Sequence, residues 1–152
     1  MGDTKWLSED EMAAWQAFLA AGALLDRRIE EQLKADAGLS HVQYEVLVRL
    51  SAAEGGELRM SELAADVLTT KSGLTYQITQ MEKAGLVRRR SCPGDVRGVY
   101  AVLTGAGRAR LEEAAPGHLR VVRAHLFDVL SEGQVRAMRE GLQEVVRVLG
   151  GA

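Results

Sequence analysis

A single cysteine, Cys92, stands in the 152 residues. That excludes an internal disulfide framework and any cysteine-rich zinc site. No apolar run approaches the roughly 20 residues of a membrane-spanning helix. Residues 1–8 lack the basic stretch, apolar run and cleavage signal of a secretory leader, so a cytoplasmic location is expected. Neither a glycine-rich phosphate loop nor a nucleophile elbow occurs. The three histidines, His41, His118 and His125, lie far apart in sequence. Only His118 and His125, two turns apart on one expected helix, share a face, and no further metal ligand accompanies them at matched spacing. A non-enzyme without cofactor or metal is expected.

What is present is an ordinary soluble composition, with 47% hydrophobic and 26% charged residues, enough for one compact core. The net charge of −2 argues against a nucleic-acid partner, but its distribution argues for one. From Leu58 to Arg110 nine basic residues face four acidic ones, a balance of +5, which leaves ten against 17, or −7, for the rest. A basic centre between acidic ends suits a chain that presents one surface to phosphates.

Helix signals dominate the flanks. Ser8 with Glu11, Ser40 with Gln43 and Ser131 with Gln134 each form a capping-box pattern, and an apolar pair brackets each serine. The first helix is expected over about Glu9–Asp36, ending near Gly38, and the second over His41–Ala53. Gly105 to about Leu130 reads as a long helix with a kink at Pro116-Gly117, and Glu132–Leu149 as the last.

The middle differs. Met60–Val67 is a short helix, and Thr70 caps another over Lys71–Ala84 that Gly85 stops. Leu86–Ser91 and Gly98–Thr104 read as two strands around the turn residues Cys92-Pro93-Gly94-Asp95. The fold class expected is mainly α with a small β-hairpin wing, a winged helix-turn-helix. The second helix of such a pair enters the DNA major groove. In it Leu74, Ile78 and Met81 recur at core spacing. Thr70, Lys71, Ser72, Thr75, Tyr76, Gln77, Thr79 and Gln80 are then the candidate contacts to base edges and phosphates. In the hairpin, alternation puts Arg88 and Arg90 on one face and Arg89 on the other. Arg88 and Arg90 join the candidates. Arg97 is the candidate for the minor groove, and Asp95 is expected to pair with an arginine and hold the wing's shape.

These stretches resemble the MarR family of bacterial regulators. The matching runs are Met-Ser-Glu-Leu-Ala-Ala-Asp-Val from Met60, Thr-Thr-Lys-Ser-Gly-Leu-Thr-Tyr-Gln-Ile-Thr-Gln-Met-Glu-Lys-Ala-Gly-Leu-Val from Thr69, and Gly-Asp-Val-Arg-Gly-Val-Tyr-Ala-Val-Leu-Thr from Gly94. The outer helices match in order and length. The resemblance implies a DNA-binding lobe over residues 39–103 and a helical dimerisation region over 1–38 and 104–152. It gives Asp95 and Arg97 the wing roles and Lys71 to Gln80 the recognition-helix role. It further implies a homodimer that presents two recognition helices about 34 Å apart to a palindromic operator. Such a protein is a repressor, released by a small aromatic or anionic effector. Trp15, Phe18, His41 and Tyr44 are the candidate effector contacts, although each also suits a core or surface position. A winged-helix module for protein–protein contact, or a small-molecule binder without a DNA role, remains open as an alternative.

Overall fold

A computed structural model describes residues 2–67, 69–94 and 98–151, Lys71 by its backbone alone. The elements are α1 (Glu9–Ala37), α2 (His41–Ala52), β1 (Glu57–Arg59), α3 (Met60–Asp66), α4 (Lys71–Lys83), β2 (Val87–Ser91), β3 (Val99–Leu103), α5 (Gly105–His125) and α6 (Glu132–Leu149). The fold class is the one expected, with one strand more. The three residues of β1 pair antiparallel with β3 and complete a sheet in the order β1-β3-β2. Three residues are too few to display alternation, so β1 has no signature of its own. It forms because β3 offers it an edge, with Leu58 opposite Ala101.

The caps are where the serines put them. Ser40 and Ser131 each accept from the backbone N–H three residues on, and Gln43 and Gln134 return the bond. Glu11 N donates to Ser8 Oγ at 3.1 Å while Ser8 N donates to Glu11 Oε2 at 2.8 Å. α5 runs on through Pro116 and ends at His125, five residues short of the expected Leu130. Leu126 leaves the helical region at φ −126°, and a 3₁₀ turn follows over Phe127–Val129.

Two compact units divide the chain, one of Met1–Arg28 with Leu119–Ala152, the other of Ile29–His118. The second is wider than the stretch 39–103 because Ile29, Leu33 and Ala37 of α1 and Ala114 of α5 belong to its core. That core consists of Val46, Leu47 and Leu50 of α2, Leu63 of α3, and Leu74, Ile78 and Met81 of α4, closed by Val87 and Ala101 of the sheet. Each large side chain so buried contributes about 1.5–3 kcal/mol over its exposed state. In the first unit, by contrast, no described residue is buried.

α4 is held at both ends. Gly73 N donates to the Thr70 hydroxyl at 3.0 Å. At the other end Gly85, at φ +75°, adopts the left-handed conformation that a side chain resists. Leu86 N then reaches Met81 O at 2.9 Å and Gly85 N reaches Glu82 O at 3.0 Å, the paired bonds that end a helix cleanly. Thr70 thus acts as a cap in the free protein. Thr70→Ala should lower stability by about 1 kcal/mol, seen as an earlier urea midpoint with an unchanged slope.

Candidate nucleic-acid interface

α4 has two unlike sides. Leu74, Ile78 and Met81 are at most 1% exposed, while Ser72, Thr75 and Tyr76 face outward. Not every polar residue of the helix is available. Gln77 Oε1 accepts from Gln43 Nε2 of α2 at 3.1 Å, and Thr79 Oγ1 donates to Thr75 O at 2.9 Å. Gln80 is half-buried. The side chain of Lys71 and the wing residues Asp95 and Arg97 lie outside the described residues.

The three consecutive arginines of β2 meet three different fates. Arg88 is exposed. Arg90 donates to both oxygens of Glu57, at 3.1 and 2.6 Å, and its guanidinium lies 4.5 Å over the Tyr100 ring. The expected match of Arg88 with Arg90 therefore holds for strand face and not for partners. β1 brings Glu57 opposite Val102, beside the Tyr100 that faces Arg90, and a bidentate carboxylate there captures the guanidinium. Arg89, on the other face, reaches α4. It donates to Glu82 Oε1 at 3.1 Å, to Thr79 Oγ1 at 2.9 Å and to Thr75 O at 3.1 Å, so it braces the wing against the helix.

Between α3, α4 and the sheet lies an open groove lined by Arg59, Ser61, Thr75, Arg89 and Val99. Two guanidiniums thus stand next to the exposed side of α4. Arg59 sits on β1 and its Nε donates to the Tyr100 hydroxyl at 3.2 Å. Sequence reasoning missed it because it lies on the strand that has no pattern of its own. Only its place in the net positive segment pointed to it.

The Arg90–Glu57 pair carries a pH dependence. The Arg90 hydrogen bonds hold the Glu57 carboxyl below its ordinary 4.5. A carboxyl depressed by folding stabilises fully above its unfolded value and ceases to do so as pH falls through the lower folded value. Glu57→Gln should accordingly shift the urea midpoint downward at pH 7, and the gap from wild type should close on acidification below about 4.5. A gap that stays constant down to pH 3 would contradict the pairing.

Comparison with known proteins settles the kind of fold. Residues 39–99 match the model of the MarR family. Sco3205 of Streptomyces coelicolor, a MarR family transcriptional regulator solved in complex with DNA, superposes with a TM-score of 0.94 at 37% identity, over 99% of this chain and 94% of that one. The chain belongs to the MarR family. Another MarR family transcriptional regulator of Streptomyces coelicolor, AbsC, is 40% identical with a TM-score of 0.91, over 98% of this chain and all of AbsC. The HTH-type transcriptional repressor YetL of Bacillus subtilis (strain 168) is 33% identical over 96 residues, which are 63% of this chain and 58% of YetL. A MarR family chain is a transcriptional regulator and not an enzyme, with a winged helix as its DNA-binding element. Among the described residues no helix is long and apolar enough to cross a membrane.

The effector candidates fall into two pairs. Trp15 and Phe18 stack in the first unit, ring centroids 6.3 Å apart and both about half exposed. His41 and Tyr44 lie in the second unit. Tyr44 is buried there and stacks on His118 at 4.4 Å. His118 turns to α2, where its ring is 6.1 Å from that of His41, while His125 Nδ1 stays 3.0 Å from Val121 O on its own helix.

Proposed function

We propose that this MarR family regulator is a homodimeric repressor that binds a palindromic operator through the outward side of α4 and the arginine-bearing wing. The observation that carries this reading is the division of α4. Leu74, Ile78 and Met81 are sealed in the core, and Ser72, Thr75 and Tyr76 are presented outward beside Arg89, with Arg88 exposed on the other face of β2. A helix of that width fits the major groove, and hydroxyls there suit base edges and phosphates. Lys71, Asp95 and Arg97 belong to the same proposed surface. The repressor sense is that of YetL, and the duplex partner is that of Sco3205.

The dimer is supported by the first unit. Fifteen of the sixteen large hydrophobic side chains exposed among the described residues lie in it, among them Trp15, Phe18, Leu119, Val145 and Leu149. So much open apolar surface calls for a partner, and a second copy supplies a self-complementary one. A small aromatic or anionic effector that prefers one dimer geometry over another would release the operator. Trp15 and Phe18 in one unit, and His41 with the buried Tyr44 in the other, are the residues proposed to take part.

Titrating salt against binding to the duplex upstream of its own gene tests the reading. The slope of log K against log salt should be steep, about −0.9 for each phosphate neutralised. A flat slope refutes it. Sedimentation should give two chains per particle at micromolar concentration, and a monomer there refutes the dimer.

A further inference from the structure

We propose that His41, Glu45 and His118 form a binding site for one divalent transition-metal ion, with zinc the best fit. Their ligand atoms all lie within 4.8 Å of one another, and all three residues are half-buried. His41 opens α2 and Glu45 follows one turn later, which puts both on one side of the helix. His41 Nε2 stands 3.7 Å from Glu45 Oε1. His118 arrives from α5. Nothing in the local sequence joins His118 to the other two. The packing of α5 against α2 within the second unit does so.

The cluster is built as well as close. Tyr44 stacks on the His118 ring at 4.4 Å and limits its rotation. Glu30 Oε1 accepts from His41 N at 2.6 Å and anchors the first residue of α2. Two imidazoles and a carboxylate form a donor set that zinc accepts readily, with the fourth position left to water. Bonds of about 2.0–2.1 Å put the ligand atoms of a tetrahedral zinc about 3.3 Å apart. The widest pair, at up to 4.8 Å, therefore needs to close by about 1.5 Å, a movement within reach of side-chain rotation. A bound ion would tie the start of the DNA-binding lobe's first helix to α5.

Zinc titrated into the full-length, chelator-washed protein against a chromogenic chelator tests this directly. One site per chain is expected, and Glu45→Gln and His118→Gln should each weaken it at least tenfold, since loss of even an outer partner costs about 10–100-fold. His125→Gln and Cys92→Ser should leave it unchanged. Cobalt should give the visible absorption of a four-coordinate site in the wild type and not in His118→Gln. Saturating zinc should raise the melting temperature of the wild type and not of the two cluster variants, whose metal-free melts establish that they are folded. Zinc uptake that survives both substitutions, uptake that vanishes with Cys92→Ser, or no uptake at micromolar zinc overturns the site and leaves a plain His–Glu pair with a histidine stacked on a tyrosine. Because the readout is the metal itself, failure here leaves the DNA-binding reading standing.

Discussion

Changing Tyr76 to glutamate should weaken operator binding by about 100-fold and leave thermal stability unchanged. The ring is 62% exposed and stands on the side of α4 away from Leu74 and Ile78. Exposed helix positions of this kind tolerate substitution within about 0.5 kcal/mol, and glutamate is itself a good helix former. In the groove the outcome differs. A lost base contact costs about 1–3 kcal/mol, and a carboxylate set against phosphates adds like-charge repulsion. Two powers of ten correspond to about 2.8 kcal/mol, within that range. Fluorescence anisotropy on a labelled operator, with a melt of the same sample, separates the two effects. Normal affinity in a folded Tyr76→Glu variant would mean that another surface reads the DNA.

Gly107→Ala should act in the opposite way, destabilising the protein without touching that surface. Gly107 is buried at the first turn of α5, where Thr104 accepts from its N–H at 3.0 Å and donates to Gly85 O at 2.6 Å. A Cβ there would lie inside contact distance of Leu86 O and 2.8 Å from Leu103 Cδ1. The obstacle is backbone, so no side-chain rotation relieves it. Overpacking of this kind costs about 3 kcal/mol, which for a chain of this size lowers Tm by roughly 6–12 °C. The damage falls at the corner where α4, β2 and α5 meet, so operator affinity should fall in proportion to the folded fraction. A melt within 2 °C of wild type, about the shift of 1 kcal/mol or less, would show that the corner yields.

These two residues differ in how plainly the sequence announces them. Tyr76 follows from periodicity: once Leu74, Ile78 and Met81 claim one side of a helix, the residues between them face the other way. Gly107 carries no such signal, because its role depends on Leu86, which lies 21 positions earlier and reaches it only through the turn at Gly85. The same contrast runs along the wing. Alternation correctly separated Arg89 from Arg88 and Arg90, yet it carried no information about Glu57, whose strand is three residues long and exists only as an edge on β3. Gln77, a polar residue on a helix with an open side, turned out to bond Gln43 of α2.

Element order, helix caps, the buried side of α4 and the family itself were written in the sequence, because each depends on neighbours within a turn or two or on a run of consecutive residues. Capping, period and turn chemistry act over that range and survive whatever the rest of the chain does. Tertiary structure alone decided which cations stay uncommitted, which histidines meet and how far the second compact unit extends along α1 and α5. Those outcomes depend on residues brought together across long stretches of chain, and only packing chooses their partners.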